Sequence, residues 1–144
     1  HYPFLQFAEV TLTANILGIT QHLVELIEKA FWTRNEHRSY GKLHLDYFEK
    51  LSEKQKKKLK TLQKEFYSKI KSSWNEIQKN GEISKSSLKK ISRISRKLTQ
   101  TCREISGKLY PFAGLEAAKT HTELNRVWRD FNTVSQHTLL IFPF

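Results

Sequence analysis

The residues best suited to chemistry fall in one stretch, Asn125–His137, which reads NRVWRDFNTVSQH. His137 can serve as a general acid or base near neutral pH. Arg126 and Arg129 each present a planar fork of donors suited to carboxylate or phosphate. Arg126 and Asp130 stand four residues apart, close enough to pair across one helical turn. At about 100° per residue, Arg126, Arg129, Asp130, Thr133 and His137 gather on one face of a helix. Leu124, Val127, Trp128, Phe131 and Thr138 share the other. No lysine occurs from His121 to Phe144, in a chain with 25 Lys+Arg. The polar face is therefore made of groups that form directed hydrogen bonds, which suits a site or an interface. An amphipathic helix with its polar side in water has the same pattern.

Other chemistries are poorly provided for. The six histidines, His1, His22, His37, His44, His121 and His137, make no His-x-x-x-His pair, and the Glu-x-x-His motif of di-iron bundles does not occur. No metal site is expected. The single cysteine, Cys102, cannot form an intramolecular disulfide. It reads as a buried structural thiol and fits a reducing, cytoplasmic setting. There is no Walker loop, no dinucleotide fingerprint and no nucleophile elbow.

The formal net charge is +11, and it resides in the middle of the chain. Lys42–Lys108 holds 19 basic and 7 acidic residues, while the flanking segments are nearly neutral. A basic helical hairpin invites a nucleic-acid reading. Its cations are mostly lysines that alternate with an apolar stripe, which is the pattern of a solvated helix face. Nucleic acid is thus disfavoured as a partner, although a stand-alone basic helical module for protein or nucleic-acid interaction remains the alternative reading.

The elements that must position these residues are helices. Apolar residues recur at spacings of three and four in four stretches, near 4–32, 43–79, 84–109 and 121–141. The first carries Leu5, Ala8, Leu12, Ile16, Ile19, Leu23, Leu26, Ile27 and Ala30, and has no acidic or basic residue other than His22 between Glu9 and Glu25. Thr11, Thr13, Asn15, Thr20 and Gln21 interrupt it, so it is read as a helix buried on more than one side and not as a membrane span. The second stripe includes Phe48, Leu59, Leu62, Phe66 and Trp74, with the run Lys54–Lys60 beside it. Gly81 supplies a helix stop and Ser84 an N-cap for the third helix. GKLYPFAGLEAA reads as a loop, and Thr122 as the cap of the fourth helix. Residues 33–44 are the least regular. Short connections favour antiparallel neighbours, hence an all-α, antiparallel up-down four-helix bundle forming a single domain over 1–144. A chain of 144 residues with no methionine and an initial His1 reads as a fragment or processed piece of a larger protein.

The stretch LYPFAGLEAAKTHTELNRVWRDFNTVSQHTLL resembles the end of the acyl-CoA dehydrogenase family, in the subgroup close to flavin-dependent monooxygenases. The shared pattern is a short loop, a helix reading Asn-Arg-x-x-Arg-Asp, and then Ser-x-His. YPFLQFAEVTLTANILGITQHLVEL also resembles the first helix of that family's C-terminal helical domain. From Thr33 to Ser106 only helicity and length match.

The resemblance implies a flavoenzyme with an N-terminal helical domain, a middle β-domain and this bundle, assembled as a homo-oligomer, usually a tetramer. FAD or FMN would lie between the middle and C-terminal domains, often with help from a neighbouring subunit. Its substrate would be a small molecule or an acyl thioester. Residue by residue, the resemblance assigns the catalytic histidine to His137, near the reactive flavin edge. It assigns cofactor contacts to Arg126 and Arg129, and to Tyr110 and Gly114 in the preceding loop. No glutamate matches the family's thioester base, although Glu116 and Glu123 flank the motif. YPFAGLEAA stands in place of the glycine-rich flavin loop of many dehydrogenases. The isolated domain is expected to be inactive and to hold no flavin tightly.

Overall fold

The computed structural model describes residues 1–142. Among them are four helices, α1 (Phe4–Arg38), α2 (Lys42–Asn80), α3 (Lys85–Leu109) and α4 (Glu123–Val134). A 3₁₀ segment, Tyr110–Ala118, links α3 to α4, and a single helical turn, α5 (Thr138–Ile141), follows α4. No strand occurs among the described residues. Interhelical contacts fix the directions. Tyr2 meets Ser73 and Glu28 meets Lys56, so α1 and α2 are antiparallel. Lys58–Glu104 and Lys97–Glu65 join α2 to α3 in antiparallel register. His22 meets Glu123, and α4 runs back along α1. The expected all-α, up-down bundle is therefore present.

Local chemistry sets the ends. Gly81 takes a left-handed φ of 78° and its N–H donates to Ile77, closing α2. Ser84 and Thr122 cap α3 and α4 by accepting from the Ser87 and Asn125 amides. The α3 stripe of Ile91, Ile94, Leu98, Cys102, Ile105 and Leu109 is buried throughout. Phe48, Leu59, Leu62 and Phe66 of α2 are buried too, but Trp74 is 52 % exposed.

Several boundaries differ from the sequence reading. α1 does not end near Trp32; it continues to Arg38, and α2 begins after three residues. The turn between them is tied by Asn35, whose carbonyl accepts from Ser39 N–H and whose side chain accepts from Tyr40 N–H. The loop before α4 is a 3₁₀ helix kinked at Gly114. The fourth helix does not reach residue 141: it stops at Val134, and the chain turns before α5.

The core face of α1 keeps Ile16, Leu23 and Ile27 of the expected stripe, with Leu12, Ile19, Leu26 and Ala30 packed at its margin, but it is wider and includes polar residues. Gln6, Glu9, Thr13, Ile16, Thr20, Leu23 and Ile27 form its buried stripe, whereas Leu5 is 47 % exposed. The polar members are buried because α3 supplies partners or room. Gln6 donates to Ser92, Thr13 to the Ser95 carbonyl, and Thr20 to Ile16 of its own helix. Small side chains on α3, among them Ser95, Thr99, Cys102 and Ser106, let the two helices approach closely. By length and apolar content α1 could cross a bilayer. In this fold it is the central helix, touching α2, α3, α4, α5 and the 3₁₀ segment.

Candidate functional site

The residues singled out from the sequence sit at two ends of the bundle. At the first end the 3₁₀ segment lies against the last turns of α1. Gly114 has φ 64° and ψ −156°, a conformation open essentially to glycine alone. The conformation serves a close approach. A Cβ on Gly114 would lie 1.7 Å from Arg34 Nη1. Arg34 Nη2 donates to the Phe112 carbonyl at 2.7 Å, and Nε donates to the Tyr40 hydroxyl at 2.8 Å. Its guanidinium also stands 5.9 Å from the ring centroids of Phe31 and Tyr40. One arginine thereby joins α1, the α1–α2 turn and the 3₁₀ segment.

Tyr110 opens the same segment. Its ring stacks on Trp128 at 4.6 Å between centroids, and its hydroxyl donates to the Ala117 carbonyl at 3.2 Å. Burial pushes its pKa up, keeping the phenol protonated. Tyr110 thus holds the segment onto α4. Beside these residues opens a cavity of about 740 Å³ between α1 and the 3₁₀ segment. Leu26, Ala30 and Leu115 form apolar wall; Lys29, Arg34, His37, Arg38 and Lys119 bring cationic or protonatable groups to it, and Glu116 and Glu123 bring carboxylates, Glu116 accepting from Lys119 at 2.8 Å. Gly114 lines this cavity. The volume is that of an ordinary small-molecule site, and the excess of cations over carboxylates in its lining suits an anionic ligand.

α4 leads away from this cavity, which Thr122, Glu123 and Leu124 also line, to the turn that carries His137 at the second end. Arg126 and Arg129 are exposed. The expected Arg126–Asp130 pair does not form; Arg126 lies 3.8 Å from Glu123, one turn the other way. Glu123 in turn accepts from His22 at 3.1 Å, which fastens α4 to α1. His137 is not on the α4 face with Arg126, Arg129 and Thr133, because the helix ends three residues earlier. It is the N-cap of α5: its Nδ1 accepts from Leu139 N–H at 3.3 Å. The ring is exposed, and with Nδ1 turned to the backbone its Nε2–H is free to donate outward.

The structure does not bring Gly114 and His137 together. Gly114 abuts Arg34, while the segment after His137 is bound through Arg96 to Glu9. Glu9 and Arg34 are 25 positions apart on α1, roughly 37 Å of helix axis.

The sequence reading missed Arg34, which fell in the stretch taken as irregular. It also missed Glu9, Arg96 and Arg103. A signal for Glu9 existed: it lies in step with Gln6, Thr13, Ile16 and Thr20 at spacings of three and four. Cys102 is buried as expected, and burial pushes its thiol up to about 11. Among the described residues no three metal-ligating side chains converge.

A family model described as acyl-CoA dehydrogenase, C-terminal domain, matches residues 47–142. No curated protein and no solved structure matches the chain. The family match runs from the first turns of α2 through α5, covering the middle helices where the motifs were silent. Over two thirds of its length the sequence fits that domain, and the chain belongs to the family of acyl-CoA dehydrogenase C-terminal domains.

Proposed function

We propose that this domain works in a flavin-dependent oxidoreductase, on the monooxygenase-like side of the family, and that it makes two flavin contacts belonging to two different flavins of an assembly. The separation of Gly114 from His137 carries the reading. Gly114 lies against the last turns of α1, whereas the turn after His137 is tied to its first turns, so each flavin would take its phosphates to the Gly114 end of one subunit and its reacting edge to the His137 end of another. The parent chain would contain an N-terminal helical domain and a middle domain, act on a small molecule or acyl thioester, and assemble as a homo-oligomer in the cytoplasm.

The donor sets support different tasks. Cations beside the Gly114 cavity suit the phosphates of the cofactor, FAD or FMN. Lys29, Arg38 and Lys119 would hold the anion, while Arg34 and Gly114 hold the wall. Bound flavin would supply the electron transfer that no side chain here can perform. At the other end His137 would donate its Nε2–H to an acceptor at the reacting edge. Arg126 and Arg129, both exposed, would take an anionic group of cofactor or substrate. The Ser135-Gln136-His137 pattern is the feature that favours the monooxygenase-like side.

Flavin titration and turnover of the parent protein test this. Arg38→Glu with Lys119→Glu should weaken flavin affinity at least about tenfold, near 1.4 kcal/mol. His137→Ala should leave affinity intact and lower turnover roughly 10²–10⁴-fold. Unchanged turnover with normal flavin loading would remove His137 from the chemistry.

A further inference from the structure

α4 stops at Val134 although Ser135-Gln136-His137 contains neither glycine nor proline. In a continued helix the Ser135 carbonyl would accept from Leu139 N–H. Both halves of that bond are instead taken by side chains. Arg103 Nη1 donates to the Ser135 carbonyl, and His137 Nδ1 accepts from Leu139 N–H. Arg103 Nη2 also reaches the Leu140 carbonyl at 3.5 Å, and Arg96 Nε donates to the Leu139 carbonyl at 3.2 Å. Arg96 is itself aimed: its Nη2 donates at 2.9 Å to Glu9, whose carboxylate is fully buried and accepts from the Ser92 hydroxyl on its other oxygen.

We propose that Arg103 is a positioning residue for His137, breaking α4 by capturing the Ser135 carbonyl, and that Arg96, held by Glu9, fixes the turn that follows. The functional part rests on the flavin reading of His137. The consequence for the ring is specific. With Nδ1 accepting from the backbone, the neutral imidazole carries its proton on Nε2, and that N–H points away from the chain as a donor. Without Arg103 the Ser135 carbonyl is free to take back Leu139 N–H. The helix then runs on, Nδ1 loses its donor, and neither tautomer nor direction of the ring is fixed.

The test is long-range ¹H–¹⁵N correlation of the histidine rings in the 144-residue chain. Wild type should show His137 as the Nε2–H tautomer. Arg103→Gln should average the tautomers and move the backbone shifts of His137, which is extended in the wild type, toward helical values, and Arg103→Lys should keep the wild-type pattern through one remaining donor. An Nδ1–H or averaged His137 in wild type would overturn the proposal without any variant. So would an unchanged pattern in folded Arg103→Gln. In the flavin-loaded parent protein, Arg103→Gln should lower kcat roughly 10²-fold, the scale of an ångström-sized misplacement, with KM unchanged. If the tautomer results hold but His137→Gln leaves kcat unchanged, the flavin reading fails and the positioning of the ring stands.

Discussion

Gly114 and Arg34 share a space that admits no side chain on the glycine: a Cβ there would lie 2.7 Å from the Arg34 Cζ and closer still to Nη1. The two residues are 80 positions apart, and their contact seats the 3₁₀ segment on α1. Gly114→Ala should therefore cost about 1–3 kcal/mol from backbone strain alone, with further loss as Arg34 is displaced from the Phe112 carbonyl. Denaturant unfolding measures the cost. A change below half a kilocalorie would show that the segment is not held as described.

Arg34→Met keeps much of the stem but removes both hydrogen bonds. It should destabilise by roughly 1–3 kcal/mol, because the Phe112 carbonyl and Tyr40 hydroxyl lose their donor in a half-buried setting. Amide exchange should quicken in Phe112–Ala118 and not in the middle of α3. Uniform quickening over the whole bundle would contradict this local role.

Cys102 supplies a pH dependence. Burial penalises the thiolate and pushes its pKa up from the ordinary thiol value to about 11. The unfolded chain loses the proton first, so stability is full below pH 9 and falls as pH rises toward 11, by on the order of 2 kcal/mol. Comparing wild type with Cys102→Ala across that range isolates the effect from lysine titration. Parallel curves would contradict it. In the native state the thiol should also resist thiol reagents at pH 8 and react only on unfolding.

The parts of the fold legible in the sequence are those where one residue's own chemistry decides. Gly81, Ser84 and Thr122 end or begin helices by local hydrogen bonding, and the α3 stripe is apolar at every buried turn from Ile91 to Leu109. α1 was harder, because its buried stripe includes Gln6, Glu9, Thr13 and Thr20. Hydropathy reads those positions as outward; their burial depends on α3 partners such as Ser92 and Arg96 more than eighty residues away. The break at Ser135 was invisible for the same reason. Its cause is Arg103 on another helix, so helical periodicity carried His137 onto the wrong face. Periodicity also grouped Arg126 with Asp130, although Glu123 is its nearer carboxylate in the structure.

Self-association should depend on apolar groups at the free end of α1. The uncharged middle of that helix exposes mainly Thr11, Asn15, Gly18, Gln21 and His22. The larger apolar exposure lies at Phe4, 83 %, and Phe7, 57 %, with Trp74 of α2 at 52 %. Such a patch favours association. Phe4→Ser with Phe7→Ser should shift light scattering of the chain toward monomer. Equal mass for wild type and variant at high concentration would remove this patch from the interface.

The shared-flavin reading is tested most directly by sedimentation of the parent protein, following flavin absorbance and protein absorbance together over a dilution series. A site completed by two subunits predicts that flavin travels only with the assembled species and is released as dilution produces monomer, while the isolated 144-residue chain retains none. A monomeric parent chain that sediments with a full equivalent of flavin would contradict it.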